Sequence, residues 1–338
     1  MNRTSEVRGH MGEMLFVVAG TYPDLLGFIL EVVQNAIDAN PKFISVDVDM
    51  ETRTVVVQDD GSGVTQNTFE RALQQIGITI KKKDRLGRFG RGVISPLGKC
   101  KSFTFTSCPR RGATKRGYLE WTFVSDDIRE HPENVRIPMR KRKDLGFSSK
   151  PKIARGTTYV QWRTQVAVQD ITKDSFVSRI NMGTLADSIL DKFGTVMRRH
   201  KIAVHVTYTT ESGKSESRDL ASKEYEGKAL PKEVISHPDS GDTVFNLFLA
   251  RVTKKGRRGK VRFGEMGDDF RLTMHQVSNS VRGVVGDDVL KALGSGIFEG
   301  DILSENVRLH PGRRSFEKND ALLGFLESLE TWYKQVGS

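Results

Sequence analysis

Three short segments near the start of the chain carry side chains whose types and spacing could do chemistry. In the first, Glu31, Asn35 and Asp38 lie three or four residues apart and would share one face of a helix. A carboxylate one turn from an amide suits a general base beside a Mg²⁺ site, because Mg²⁺ prefers oxygen ligands and keeps several of its waters. The plainer alternative is a solvated polar face.

The second segment, Asp59-Asp60-Gly61-Ser62-Gly63-Val64, follows a predicted strand. Glycines at this spacing allow a tight turn and a close approach of the backbone to a ligand. A carboxylate at the end of a strand can accept a hydrogen bond from an exocyclic amine. The alternative is a surface turn, since Asp-Gly is common in turns.

The third segment, Gly87-Arg88-Phe89-Gly90-Arg91-Gly92, opens a predicted short helix. Backbone amides at a helix N-terminus bind phosphate. The nearby Gly98-Lys99 pair is not a Walker A loop, because Cys100 follows it and the upstream glycine is missing. A glycine-rich loop alone is a weak signal.

The elements that must position these segments alternate helix and strand. Apolar residues at three- and four-residue spacing predict a helix over 24–39, and alternation predicts strands over 43–50 and 54–58. Residues 65–76 are predicted to be a helix and residues 77–92 a loop. Further along the first half we predict a short helix at 93–98, strands at 102–107, 118–123 and 157–163, and loop over 126–151.

A second domain is predicted to begin near Gln165, which divides the chain into residues 1–165 and 166–338. Its predicted elements are a helix over 185–200, strands over 202–208, 245–252, 260–263 and 270–275, a polar stretch over 209–242, and a closing helix over 316–333. The predicted architecture is two α/β layers in tandem.

Taken together, the segments resemble the GHKL (Bergerat-fold) ATPase superfamily of gyrase B, the heat-shock chaperones, histidine kinases and MutL. Residues 31–39, 59–63 and 87–92 match its first three motifs, and Gly156-Thr157-Thr158 resembles the fourth. The resemblance covers roughly residues 10 to 165. It implies an α+β fold: a Bergerat-type α/β sandwich ATPase domain followed by a smaller α/β transducer domain of ribosomal S5-like type.

The resemblance also implies roles for the first motif. Glu31 would be the general base that activates water for attack on the γ-phosphate of ATP. Asn35 would supply a side-chain oxygen to Mg²⁺, and Asp38 would support the base pocket. Phosphoryl transfer depends mainly on positioning and charge neutralisation, so slow ATP hydrolysis is expected.

The remaining motifs would bind the rest of the nucleotide. Asp59 would hold the adenine amine with Thr157 beside it, and Gly61 and Gly63 would let the chain pass under the nucleotide. A lid would wrap the phosphates, and its residues are Lys81, Gly87, Arg88, Phe89, Gly90, Arg91 and Gly92.

A segment in the second half, residues 300–313, is similar to part of the middle domain of the ninety-kilodalton heat-shock chaperones. In that family an arginine of this segment reaches the γ-phosphate. The resemblance therefore implies Arg313 as a catalytic arginine, with Arg314 as second choice. The alternative is a surface arginine in a basic protein.

The chain is strongly basic, with a net charge of +11 and a pI near 9.6. The charge is concentrated in clusters at residues 81–83, 110–111, 140–143 and 254–262. A basic face can recruit nucleic acid by counterion release, whereas the alternative is solvated loops.

Composition excludes several classes of protein. Hydrophobic residues make up 37% and charged residues 28% of the chain, as in soluble globular proteins. No apolar run is long enough to span a membrane, and the first residues do not resemble a secretory signal. The two cysteines, Cys100 and Cys108, favour a reducing, cytoplasmic location.

The leading functional hypothesis is a Mg²⁺-dependent ATPase that acts as a conformational switch. ATP would close the lid and join two heads in a homodimer, and a protein client or partner subunit would make the chain a chaperone-like machine. An alternative is an ATP-operated, DNA-associated clamp in repair, chromatin or defence. A second alternative is a non-catalytic nucleotide-sensing module, which the presence of Glu31, Asn35 and Asp59 argues against.

Overall fold

A computed structural model describes residues 11–20, 24–74, 92–109, 117–143, 145, 162–172, 180–220, 225–253, 256–267, 271–281, 287–309 and 315–336. The chain divides into two compact units. The first comprises Met1–Ile189 and Arg199–Ala221, and the second comprises Leu190–Arg198 and Ser222–Ser338. Within the described ranges, no helix is both long and apolar enough to cross a membrane.

The first unit is built around an eight-stranded sheet. Its strands, in chain order, are β1 Phe43–Asp49, β2 Thr54–Asp59, β3 Cys100–Ser107, β4 Tyr118–Val124, β5 Met139–Arg142, β6 Thr164–Ile171, β7 Ala203–Thr209 and β8 Ser215–Leu220. Their order across the sheet is β5-β4-β3-β6-β2-β1-β7-β8. The β1–β7 pair is parallel and the other neighbours are antiparallel.

Helices of the first unit cover the apolar positions of this sheet. They are α1 Met11–Ala19, α2 Leu25–Asp38, α3 Gln66–Gln74, α4 Ser125–Glu130 and part of α5 Met182–His200. Phe69 of α3 stacks on Phe105 and Trp121, with ring centroids 4.8 and 4.1 Å apart. Alternate strand residues point to one face, so the strands supply one continuous apolar layer beneath the helices.

Helix α2 begins where its sequence provides a cap. The Asp24 carboxylate accepts a hydrogen bond from the Gly27 amide at 2.7 Å, which satisfies one of the free amides of the first turn. Phe28, Ile29 and Val33 recur at helical spacing and are fully buried. The helix ends at Asp38, and Asn40, two residues further on, adopts a left-handed φ of 53°.

The second unit contains a smaller mixed sheet. Its strands are β9 Lys228–Ala229, β10 Glu233–His237, β11 Gly241–Leu249, β14 Val261–Glu265, β15 Leu272–Thr273 and β16 Phe298–Ser304, while β12 Val252–Thr253 and β13 Gly256–Arg257 form a separate hairpin. The main order is β10-β11-β16-β14-β15, with β9 also paired to β11. Its helices are α6 Met274–Val281, α7 Asp287–Gly294 and α8 Asp320–Val336.

The core of the second unit lies under α8. Trp332 stacks on Phe245 of β11 with centroids 5.3 Å apart, and Phe325 meets Phe263 of β14 edge-on. The α+β class predicted from the sequence is therefore confirmed.

Most predicted elements are confirmed to within a few residues, but several predictions were wrong. The stretch 126–151 was expected to be loop, yet it contains most of α4 and all of β5. Residues 270–275 were expected to be a strand, but only Leu272–Thr273 pairs and a helix starts at Met274. The loop predicted over 77–92, apart from Gly92, and most of the strand predicted over 157–163 lie outside the described residues.

The boundary predicted after residue 165 falls inside β6. This strand lies between β2 and β3 in the middle of the first sheet, and β7 and β8 extend the same sheet beyond β1. Contacts therefore assign the chain up to Ala221 to the first unit, apart from Leu190–Arg198.

Candidate nucleotide-binding site

Helix α2 carries the polar stripe predicted from the first segment. Glu31 and Asn35 are half-buried, and Asp38 is buried with 8% of its surface exposed. The helix packs against β1, β2 and the one-turn helix Gly92–Ile94. Glu31 and Asn35 are therefore held on a fixed helix and keep partial access to a ligand.

Asp59 is the last residue of β2, and its carboxylate is buried. Only 4% of its surface is exposed, and its Oδ1 accepts a hydrogen bond from the Gly61 amide at 2.9 Å. Burial raises the pKa of Asp59 to about 7, and the neighbouring Asp60 adds to the rise, while hydrogen bonds from Gly61 and the Thr164 side chain oppose it.

The neighbouring Asp60 has a structural role. Its Oδ1 accepts hydrogen bonds from the Lys42 and Phe43 amides at 2.7 and 2.9 Å. These bonds hold the start of β1 beside the end of β2. Of the two adjacent carboxylates, Asp60 thus joins the strand ends, and Asp59 is the more buried one.

Two glycines shape the second segment. A Cβ atom at Gly61 would lie 2.6 Å from the Ala39 carbonyl oxygen and 2.8 Å from Oδ1 of Asp59. Gly63 has a φ of +65°, and its Cβ would lie 2.1 Å from the Cys108 carbonyl oxygen. Any side chain at position 61 would therefore crowd the Asp59 carboxylate. The glycine at this position agrees with a ligand that approaches Asp59 here.

The structure places a hydroxyl pair at this carboxylate that was not predicted from the sequence. Thr164 lies opposite Asp59 in the β2–β6 register, and its Oγ1 lies 3.2 Å from Oγ of Ser107. The Ser107 hydroxyl in turn accepts the Val64 amide at 2.8 Å. Side chains two residues apart on a strand share a face of the sheet. The spacing of Thr164, Val166 and Val168 along β6 was therefore the sequence signal that could have placed Thr164 on the same face as the two valines.

Several predicted site residues cannot be placed. Lys81, Gly87, Arg88, Phe89, Gly90, Arg91, Thr157 and Arg313 lie outside the described residues. Gly92 is the first residue of the one-turn helix beside α2, so the end of the third segment does come close to the first.

The predicted Mg²⁺ site depends on one side-chain oxygen of Asn35. Across the part of the chain that the structure describes, no group of three or more His, Cys, Asp or Glu side chains is arranged to hold a metal ion. A magnesium ion that is bound mainly through phosphates and water needs only one or two protein oxygens. The half-buried amide of Asn35, one turn from Glu31, fits that role.

Comparison with known proteins finds a family match within the first unit. The family model described as "Histidine kinase-, DNA gyrase B-, and HSP90-like ATPase" matches residues 25–146, which include α2 and the segment around Asp59. This match confirms the resemblance of residues 25–146 to the GHKL ATPases. The family assignment supports ATP binding by this ATPase domain.

A solved structure resembles the chain beyond the ATPase domain. It is titled "Crystal Structure of N terminal domain of a DNA repair protein" and aligns with a TM-score of 0.57 at 12% identity, covering 95% of this chain and 98% of that one. At this identity the likeness shows a shared fold. No curated protein sequence matches the chain.

Proposed function

We propose that this chain is a Mg²⁺-dependent ATPase that works as a conformational switch. The observation that carries the proposal is the buried carboxylate of Asp59, which lies between the Gly61 amide and the Thr164 hydroxyl. A buried carboxylate with remaining acceptor capacity suits the exocyclic amine of adenine. The bare backbone at Gly61 would let the base approach.

Hydrolysis would use the exposed edge of α2. Glu31 would take a proton from the attacking water, whose oxygen bonds to the γ-phosphorus as the bond to the bridging oxygen of ADP breaks. Asn35 would hold Mg²⁺, which neutralises phosphate charge when bound. The products are ADP and inorganic phosphate. Asp38, buried at the end of α2, would support the base pocket.

The phosphate lid and the catalytic arginine remain proposals based on the family resemblance. Lys81 and residues 87–92 would wrap the phosphates, and Thr157 would lie near the base. Arg313 would reach the γ-phosphate from the second domain, residues 166–338 in the sequence-based division.

ATP-dependent pairing of two copies is the second part of the switch. Met14 and Val17 lie three residues apart on α1 and are 47% and 73% exposed. Exposed apolar side chains on one helix face are typical of protein contact surfaces. They support a homodimer that forms when ATP is bound.

Two kinds of client are compatible with such a switch. A chaperone-like role with a protein client depends on the resemblance of residues 300–313, but residues 300–304 belong to β16, where Ile302 and Ser304 are fully buried. A structural role thus explains part of that match. The fold shared with a DNA repair protein and the net charge of +11 favour a DNA-associated switch.

The test is Mg²⁺-dependent ATP hydrolysis by four proteins: wild type, Glu31→Ala, Asp59→Asn and the matched control Glu130→Ala, whose carboxylate is exposed on α4. We expect slow turnover by wild type and control. Glu31→Ala should bind ATP without hydrolysing it, and Asp59→Asn should bind ATP more weakly. A non-hydrolysable analogue should shift wild type to a dimer in size-exclusion chromatography.

Two results would count against the proposal. If Glu31→Ala hydrolysed ATP at the wild-type rate, Glu31 would not be the general base. ATP binding by wild type without any turnover would instead favour a nucleotide-sensing module.

A further inference from the structure

Strand β8 forms one edge of the first sheet. It is the last strand in the sheet order, and β7 is its only partner among the described strands. Residues 215–219 are all exposed, and only Leu220 at the end of the strand is buried. An edge strand presents a row of N–H and C=O groups that can pair with a strand of another chain. The sheet is therefore open to extension at β8.

A hydrogen bond of β7 shows which backbone groups of β8 lie on its open side. The Thr209 carbonyl oxygen accepts the Met50 amide at 2.9 Å, so it points away from β8 and towards β1. The direction of these groups alternates along a strand, and residues directly opposite each other in an antiparallel pair either both bond to each other or both point away. Ser215 lies opposite Thr209 in the β7–β8 register. The backbone groups that point to the open side are therefore those of Ser215, Ser217 and Asp219.

Side chains on one face of β8 are held by β7. Oγ of Ser215 lies 2.6 Å from Oγ1 of Thr209, and Oδ1 of Asp219 lies 2.7 Å from Nδ1 of His205. Cross-strand side-chain pairs stabilise a sheet. The strand is thus ordered before any partner binds, which lowers the entropic cost of pairing.

The other face of β8 carries one charge of each sign. Glu216 and Arg218 are two residues apart, so their side chains share this face. Both are exposed, and neither forms an ion pair with another described residue. Charges on an edge strand can oppose pairing, so the register of a partner strand decides whether these two repel or attract.

We propose that β8 pairs antiparallel with β8 of a second copy of this chain, across a two-fold axis at Ser217. Because residues with outward backbone groups must face each other, the registers with most overlap place the axis at Glu216, Ser217 or Arg218. An axis at Glu216 or Arg218 sets like charges opposite each other, which is destabilising. An axis at Ser217 sets Glu216 of each copy opposite Arg218 of the other, so the charges select this register.

This surface is separate from the one proposed for ATP-dependent pairing. Helix α1 packs against α4, and α4 packs against β3 and β4, which lie near the opposite edge of the sheet from β8. Pairing at β8 needs no nucleotide. Its backbone bonds replace bonds to water and its side chains are polar, so the net gain is small and dimers should form only at high protein concentration.

The test reverses the charges one at a time. Sedimentation equilibrium without nucleotide, over a wide concentration series, should show a reversible monomer–dimer equilibrium for wild type. Glu216→Arg and Arg218→Glu each set like charges opposite each other, and each should weaken dimerisation roughly ten-fold. The control Glu133→Arg, at an exposed residue outside β8, should change it less than about three-fold. An effect of net charge would act in opposite directions in the two β8 variants.

Two further samples test the register itself. The double variant Glu216→Arg/Arg218→Glu exchanges the charges and should dimerise like wild type. An equal mixture of the two single variants should form heterodimers, because opposite charges again face each other at both positions. Ser217→Pro removes an amide on the open side, where proline is tolerated in an edge strand, and should abolish dimerisation. Thermal unfolding of every variant checks that it is folded.

Three results would overturn the proposal. One is a wild type that stays monomeric at every concentration, and another is dimerisation that both single variants retain. A loss that neither the double variant nor the mixture recovers would refute the two-fold register at Ser217. Nucleotide is absent from all these samples, so the ATPase proposal is tested separately.

Discussion

Asp59 and Asp301 are both buried carboxylates on inner strands of a sheet, one in each unit. Asp301 on β16 accepts the Tyr225 hydroxyl at 2.9 Å and forms an ion pair with the buried Arg271 at 3.5 Å. Asp59 receives the Gly61 amide and the Thr164 hydroxyl, and within the described ranges no lysine or arginine pairs with it. The chain itself neutralises Asp301, whereas Asp59 retains acceptor capacity for a ligand.

This difference separates a carboxylate that is neutralised within the fold from one that we propose binds a ligand. Burying an ionised group without a charged partner costs folding free energy. Arg271 balances this cost at Asp301, whereas burial raises the pKa of Asp59 to about 7, and this difference agrees with the proposal that Asp59 binds a ligand. Substituting each residue in turn tests this comparison.

The largest effect is expected from Asp301→Asn. The change would remove the Asp301 carboxylate from its ion pair with the buried Arg271, and breaking a buried pair in this way costs about 3–5 kcal/mol. We expect a large fall in the urea midpoint of unfolding and little change in the affinity for ATP at temperatures where the protein is folded. The control is Asp239→Asn, an exposed carboxylate 3.8 Å from His237, which should change stability by less than about 1 kcal/mol. If both variants lost the same stability, the proposed structural role of Asp301 would be wrong.

The second effect concerns how the free energy of unfolding changes with pH. The carboxyl of Asp59 has an ordinary pKa of about 3.9 in an unfolded chain and a pKa of about 7 in the folded one. Because the folded state holds this proton longer, the group destabilises folding as pH rises from about 4 to about 7, by up to a few kcal/mol. Asp59→Asn should remove that part of the decline, as measured by urea unfolding at several pH values. Parallel curves for wild type and variant would show that the carboxyl is not buried as described.

The third effect is on nucleotide affinity. Asp59→Asn replaces a charged acceptor with an amide, and a hydrogen bond to a charged group contributes about 1.5–3 kcal/mol. We expect ATP to bind roughly 30-fold more weakly by calorimetry, without loss of stability near pH 7. Asp38→Asn, at the buried end of the same helix, should weaken binding less. If Asp38→Asn lost more ATP affinity than Asp59→Asn, the contact with the adenine base could not be assigned to Asp59.

The smallest effect is expected from the hydroxyl beside Asp59. Thr164→Val preserves shape and removes one hydrogen-bond donor, a change worth about 1 kcal/mol. ATP affinity should fall roughly five-fold, as 1 kcal/mol corresponds to that factor at room temperature. The matched control is Thr207→Val on β7, whose hydroxyl lies 3.2 Å from Ser217; an equal loss there would show a general effect of removing hydroxyls from the sheet.

The sequence was informative where local signals agree. The cap at Asp24, the apolar spacing of α2 and the alternation of β1 and β2 predicted these elements closely. Strand-end chemistry led to the prediction that Asp59 and Gly61 belong to the site. These features depend on residues that are near one another in the chain.

Elements that depend on distant partners were missed. β16 contains Gly300 and two acidic residues, a composition that disfavours strands, yet it is paired on both sides by β11 and β14. Gly300, with a φ of +141°, is needed because a Cβ would lie 2.2 Å from the Asn246 carbonyl oxygen. The contact between Thr164 and Asp59 joins residues far apart in the chain, so only pairing of β2 with β6 reveals it.

The position of β6 between β2 and β3 has a consequence for synthesis of the chain on the ribosome. Strands β1 to β5 are made first, but β6 alone joins the β1–β2 pair to the β3–β4–β5 group, and β7 later covers the open edge of β1. The nascent ATPase domain therefore carries unpaired strand edges until residues up to about Leu220 have left the exit tunnel, and such edges promote aggregation. A fragment trimmed to residues 25–146 would keep those edges permanently and should be insoluble, whereas one that extends through Leu220 should complete its sheet.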